Sequence, residues 1–163
     1  MIFVVGGDLA SATADAVVRP ATTTLDLMDP ALRTLDAAAG PRFADQRRLR
    51  QQLAPGAAVV TGAGDLAVEF VVHAVLGASA DAVTPDAVRR AVAAALWQCT
   101  QWHITTLACP AVGAPTLKAA ESADVILPII RAHMRTADHP TTVLVILRDP
   151  QDQETFTARL GQG

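Results

Sequence analysis

The sequence predicts an α/β domain in which helices cover both faces of a mixed sheet. Three observations carry this. Short β-branched runs alternate with helical segments along the whole chain; several runs lack the polar alternation of a half-exposed strand; and the joints carry helix-start and helix-stop residues. At 163 residues the chain suffices for one domain with a full core, taken to span residues 1–163.

The strand candidates, each bounded by Gly, Pro or Thr, are IFVV (2–5), DAVV (15–18), AAVV (57–60), EFVVHAVL (69–76), ITTLAC (104–109) and TTVLVIL (141–147). Between them, residues 29–39 open on Asp29-Pro30, an N-cap followed by a proline at the first helical position, and stop at Gly40-Pro41. Residues 42–53, RFADQRRLRQQL, form a second helical pattern that turns Phe43, Leu49 and Leu53 inward and leaves Arg47, Arg48 and Arg50 as a solvated face. Thr84-Pro85-Asp86 starts the longest clear helix, 84–102, by cap, N1 proline and first-turn acid. A helix over about 117–135 contains Pro128, which removes one hydrogen bond and is expected to bend or split it. PQDQETFTARL from Pro150 closes the chain as a helix.

Composition narrows the function classes. The apolar share of 51% is inflated by alanine, the net charge is −3, and no block of like charge occurs. Nucleic acid and anionic membranes therefore have no electrostatic footprint here. No apolar run approaches the roughly 18 residues of a membrane span, and Met1–Val5 is too short for a secretory core, so a cytoplasmic protein is expected. Cys99 and Cys109 fit a reducing compartment as core thiols rather than a disulfide. With His103 they fall short of the roughly four constrained ligands of a zinc site, and neither CxxC nor HExxH occurs; no metal or cofactor is expected. His73, inside an apolar strand, reads as a hydrogen-bonded core residue. Ser11, Ser79 and Ser122 lack a G-x-S-x-G setting, so no catalytic residue is named. Trp97 and Trp102 read as core or interface residues.

Three strings in order, GGDLASATADAVV, AAVVTGAGDLAVEFVVHAVLG and TLACPAVGAP, resemble the macro domain, the ADP-ribose-binding α/β/α module. The resemblance runs from about residue 2 to residue 160. It implies a three-layer α/β/α fold with a central mixed, mostly parallel sheet, and an ADP-ribose site.

In that family the acid of the Gly-Asp-Ile/Leu string accepts a hydrogen bond from the adenine amine, and the next backbone amide assists; Asp8 and Leu9 match. Asp8 reads equally well as the cap of a short helix. The family's Asn-Ala-Ala-Asn after the second strand corresponds to Arg19-Pro20-Ala21-Thr22. Thr22 keeps a hydroxyl but lacks the paired donor and acceptor of an amide, and Arg19 reads as a phosphate grip or as a surface charge. The first glycine-rich loop falls on Met28, Asp29 and Pro30, where a side chain fills space, a carboxylate repels phosphate and a proline deletes an amide. The second loop keeps Gly113 after Val112 but continues Ala114-Pro115-Thr116, with fewer free amides. Arg148 stands where many members have a ring against adenine, and arginine also stacks on bases.

The ligand residues implied are Asp8, Leu9, Thr22, Met28, Asp29, Val112, Gly113, Ala114 and Arg148. Three functions compete: a divergent binder of ADP-ribose or a related adenine nucleotide with reduced or altered affinity; a scaffold for interaction or homo-oligomer formation that has lost the ligand; and an ADP-ribosyl hydrolase, ranked last because its asparagine and first glycine loop are missing.

Overall fold

A computed structural model describes residues 1–163. Six strands, β1 (Ile2–Gly6), β2 (Ala16–Thr22), β3 (Ala58–Gly62), β4 (Phe70–Gly77), β5 (Thr106–Cys109) and β6 (Thr142–Leu147), form one sheet in the order β1-β6-β5-β2-β4-β3. Every neighbouring pair is parallel except β3–β4, so the sheet is mixed and mostly parallel. The four helices are α1 (Arg33–Gln46), α2 (Pro85–Gln101), α3 (Ala119–Thr136) and α4 (Pro150–Gly161).

The pleat sorts the strands' side chains onto two faces. Val18, Val72 and Val145 join Leu96, Ile126, Ile130 and Phe156 in the larger core, beneath α2, α3 and α4. Val17, Val71 and Ala108 face the other way, towards Leu35 and Phe43 of α1. Apolar side chains on both faces explain why the runs lack polar alternation. By the same parity Arg19 and His73, register partners on β2 and β4, emerge on the α1 side.

Helix starts follow the sequence closely. Thr84 Oγ1 accepts from Ala87 N at 3.1 Å, ahead of Pro85 at the first position of α2. Asp29 accepts from Ala31 N at 3.0 Å and opens a 3-10 turn, Pro30–Leu32, that leads into α1. No helix is long and apolar enough to cross a membrane.

Five expectations need correction. The helical pattern at 42–53 ends at Gln46, and Gly40-Pro41 is a kink rather than a stop, Gly40 having φ 81° and ψ −175°. Leu49 is exposed, and Arg47 turns inward instead of joining a solvated face: its Nη1 donates to Leu25 O and its guanidinium lies 5.7 Å from the Phe43 ring centre. β2 runs on to Thr22 through Pro20; its ladder with β5 ends at Val17, and beyond it only an isolated bridge, Ala21 to Leu27, lies on the side away from β4, so a strand proline is tolerated there. α3 continues through Pro128 without splitting, because Ile126, Leu127 and Ile130 hold both halves on the core. Trp97 and Trp102 are 57% and 51% exposed, so neither is a core residue; Trp102 packs against Phe70 with ring centres 5.2 Å apart.

Candidate functional site

Three parallel strands, β1, β6 and β5, end beside one another, and the chain leaves each through a loop. A cleft of about 200 Å³ opens there, the usual place for a ligand in an open α/β sheet. Its walls are Gly7 and Leu9 after β1, Pro110, Ala111 and Ala114 after β5, and Leu147, Arg148, Asp149 and Asp152 around the end of β6; Asp29, Ala31 and Leu32 close it from the first loop. A second hollow of about 480 Å³ adjoins it, sharing Ala111, Ala114 and Asp152 and continuing past Leu117, Lys118 and Ala120 at the start of α3.

The polar groups are unevenly distributed. Asp8 sits behind the cleft and is held by three donors: Oδ1 accepts from Ala10 N at 3.0 Å, Thr34 Oγ1 lies 3.3 Å from both oxygens, and Arg148 Nη2 donates to Oδ2 at 2.7 Å. Partial burial alone would raise this carboxyl, but the Ala10 amide, the Arg148 charge and the Thr34 hydroxyl together hold it below the ordinary aspartate value. The cap reading of Asp8 is the one seen, since it caps the turn Leu9–Ser11. Asp29, Asp149 and Asp152 put three carboxylates on the wall. The first two cap helical starts, while burial, followed by the charge of Asp149, pushes Asp152 up. Cations are fewer: Arg148, and Lys118, the chain's only lysine, in the adjoining hollow.

Of the expected ligand residues, Leu9, Asp29, Ala114 and Arg148 line the cleft and Asp8 backs it. The rest lie elsewhere for local reasons. Met28 is buried in the larger core, its amide donating to Pro20 O, so it does not block the cleft. The Thr22 hydroxyl accepts from Asp26 N at 3.1 Å within the turn after β2. Val112 is buried, and its carbonyl accepts from Ser122 Oγ at 2.7 Å. Gly113 is a turn residue with φ 107°, where a Cβ would come within 2.7 Å of Leu117 Cδ1. Sequence reasoning missed Thr34 and Asp152. Thr34 carries no local signal, whereas Asp152, three residues after Asp149 at a helix start, had one.

Arg19 is neither a phosphate grip nor a surface charge. It is fully buried, with Nε and Nη2 on Asp36 and Nη1 on Leu25 O at 2.8 Å. Nη1 also lies 3.3 Å from His73 Nδ1, which fixes that nitrogen as the acceptor and leaves Nε2–H to donate to Thr61 Oγ1 at 2.8 Å. Burial, followed by the Arg19 and Arg47 charges, lowers His73 to about 3, so the ring is neutral. Leu25, whose carbonyl serves both arginines, has φ 61°. No three His, Cys, Asp or Glu side chains converge as metal ligands; His103 lies edge-on to His139 instead.

The sequence profile of the macro domain matches residues 18–125, about two thirds of the chain. The chain belongs to the macro domain family. No curated protein sequence matches this macro domain, but solved structures do. The Oceanobacillus iheyensis macrodomain with MES bound superposes with a TM-score of 0.86 at 19% identity, over 98% of this chain and 89% of that one. The Trypanosoma brucei macrodomain in complex with ADP-ribose gives 0.85 at 16% identity, over 99% and 69%. The macro domain of ganglioside induced differentiation associated protein 2 gives 0.82 at 15% identity, over 98% and 82%. At these identities the likeness is one of fold, and the macro domain's three-layer architecture is the one described above.

Proposed function

We propose that this macro domain binds ADP-ribose or a related nucleotide in the cleft at the ends of β1, β6 and β5, with an affinity below what a glycine-rich site would give. The carrying observation is that the cleft and the hollow adjoin, sharing Ala111, Ala114 and Asp152, with Arg148 at the far end of the first and the start of α3 at the far end of the second; we read the two as one groove. Structures of two relatives, from Trypanosoma brucei and Oceanobacillus iheyensis, hold ADP-ribose and ADP respectively.

The chemistry of the two ends differs. Leu9, Leu32 and Ile146 offer apolar surface to a base, and Arg148 offers a guanidinium face. At the other end Lys118 sits at the start of an 18-residue helix, whose first amides and dipole favour an anion. Between the ends, Asp29, Asp149 and Asp152 oppose a diphosphate by like charge, which lowers affinity without closing the groove. Proline at positions 30 and 115 removes amides that would otherwise offset that repulsion. No catalytic residue forms part of this proposal.

Calorimetric titration with ADP-ribose is the test. A saturable heat with a dissociation constant at or below the millimolar range, worth about 4 kcal/mol or more, is expected. Loss of the signal in Ala114→Trp, which fills the junction of cleft and hollow, would tie it to the groove.

A further inference from the structure

β1 is the outermost strand on its side of the sheet: β6 pairs with it in parallel, and no strand lies on its other side. The ladder decides which of its groups stay open. Met1 O accepts from Val143 N at 2.9 Å and Gly7 N donates to Leu147 O at 3.0 Å, so the odd-numbered residues direct their backbone groups at β6. By the alternation of a strand, Ile2, Val4 and Gly6 direct theirs outward.

The side chains alternate as well. Ile2 and Val4 pack against the larger core, whereas Phe3 and Val5 emerge on the opposite face, 43% and 38% exposed. Charged residues and proline, by which sheet edges usually resist pairing, are both missing from Met1 to Gly7.

We propose that β1 pairs antiparallel with β1 of a second copy of this chain, joining the two sheets across a two-fold axis at Val4. The symmetry of the strand about that residue fixes the partner. In this register Val4 exchanges both N–H···O bonds with the second copy's Val4, and Ile2 does the same with its Gly6. Each exposed Phe3 then stands opposite an exposed Val5, an apolar cross-strand pair at the closely spaced sites of the ladder. The contact is isologous and therefore closes at two copies.

Charge agrees with this arrangement. α4 starts at the Gly6 end of β1, where Gly6 lies against Gln153, and finishes at the Met1 end, where Leu160 adjoins Met1 and Ile2. Its start carries Asp149, Asp152 and Glu154; Arg131 and Arg135 line the hollow at the Met1 end. None of these five forms an ion pair within the chain. The two-fold axis turns the acidic start of one α4 towards the basic end of the other copy and sets the two helix dipoles antiparallel. An unrelated strand would use the backbone edge alone, whereas a second copy also matches the apolar pairs and the charged ends.

The test is sedimentation velocity from micromolar concentration to about 1 mM. Wild type is expected to show a monomer–dimer equilibrium with a dissociation constant on the order of 100 μM, as suits a small interface. Val4→Pro deletes the central outward amide at a position where an edge strand tolerates proline, and should weaken the dimer about tenfold or more. Val5→Lys sets like charges diagonally across the axis and should weaken it too. Mixing Val5→Lys protein with Phe3→Glu protein opposes lysine to glutamate and should restore dimer. Both substituted side chains are exposed, and circular dichroism checks that each variant is folded. A wild type that stays monomeric throughout would overturn the proposal, and uptake of a short alternating Thr-Val peptide by that monomer would give the edge to a different partner. A dimer that survives Val4→Pro and Val5→Lys would place the interface elsewhere and overturn it equally. Failure of the mixture to re-form dimer would overturn the register about Val4.

Discussion

The guanidinium of Arg19, on the central strand β2, grips the carboxylate of Asp36 on α1 through two parallel hydrogen bonds, Nε to Oδ1 at 2.8 Å and Nη2 to Oδ2 at 2.7 Å. Arg19 is fully buried and Asp36 is 19% exposed. Removing one partner strands a buried charge, which typically costs 3–5 kcal/mol. Asp36→Ala is therefore expected to lower the unfolding free energy by about 3 kcal/mol in urea denaturation. The double variant Arg19→Met/Asp36→Leu should recover part of that loss, because no unpaired charge remains. A change below about 1 kcal/mol for Asp36→Ala would place the pair in the range of exposed ion pairs and contradict the account.

His73 belongs to the same network and predicts a pH dependence. Its folded value of about 3 lies below the ordinary 6.5, so the unfolded chain binds the proton first as pH falls. Its contribution is complete above pH 6.5 and is lost progressively between 6.5 and 3. Between pH 7 and 5 wild type should lose about 2 kcal/mol more than His73→Gln, which keeps an acceptor for Arg19 and a donor for Thr61 without titrating. Parallel pH profiles for the two proteins would show that the ring is not held neutral.

Both thiols should be inert in the folded state. Burial pushes Cys99 and Cys109 up to about 12, and the second also feels the first. At pH 8 an aromatic disulfide reagent is expected to label neither until denaturant is added, when both react. Prompt labelling of one thiol in the native protein would mean that its region opens far more often than the packing implies.

How far these features were legible in the sequence differs from case to case. The strands announced themselves as β-branched runs, and Thr84-Pro85-Asp86 marked the start of α2 within a residue, because both signals are local. The end of α1 was not legible. Gln46 is the last helical residue, and the segment beyond it follows Arg47, which turns towards the carbonyl of Leu25, a partner 22 residues away. Arg19 looked like a strand-end charge because its carboxylate lies 17 residues away on a helix whose packing no local pattern reveals. The site was half legible for the same reason. Positions after the strands were recognisable, but whether Met28 faced the ligand or the core depended on how the loop folded back, with its amide on Pro20 O.

The carboxylates of the cleft make a further claim. Asp152 is shared by cleft and hollow, and burial together with Asp149 pushes it up. Neutralising it in Asp152→Asn removes like charge beside a diphosphate, so affinity for ADP should rise several-fold. Affinity for adenosine, which lacks phosphates, should stay unchanged. An equal gain for both ligands would indicate a change of shape rather than of charge.

The central claim is that a ligand groove survives in this macro domain despite its altered loops. The most direct measurement is a titration with ADP-ribose to several millimolar, followed by backbone NMR so that the heat and the site are read together. Saturable shifts confined to residues around Leu9, Ala31, Ala114, Lys118 and Arg148 are expected. A flat titration across that range, or shifts that cluster away from the ends of β1, β6 and β5, would contradict it.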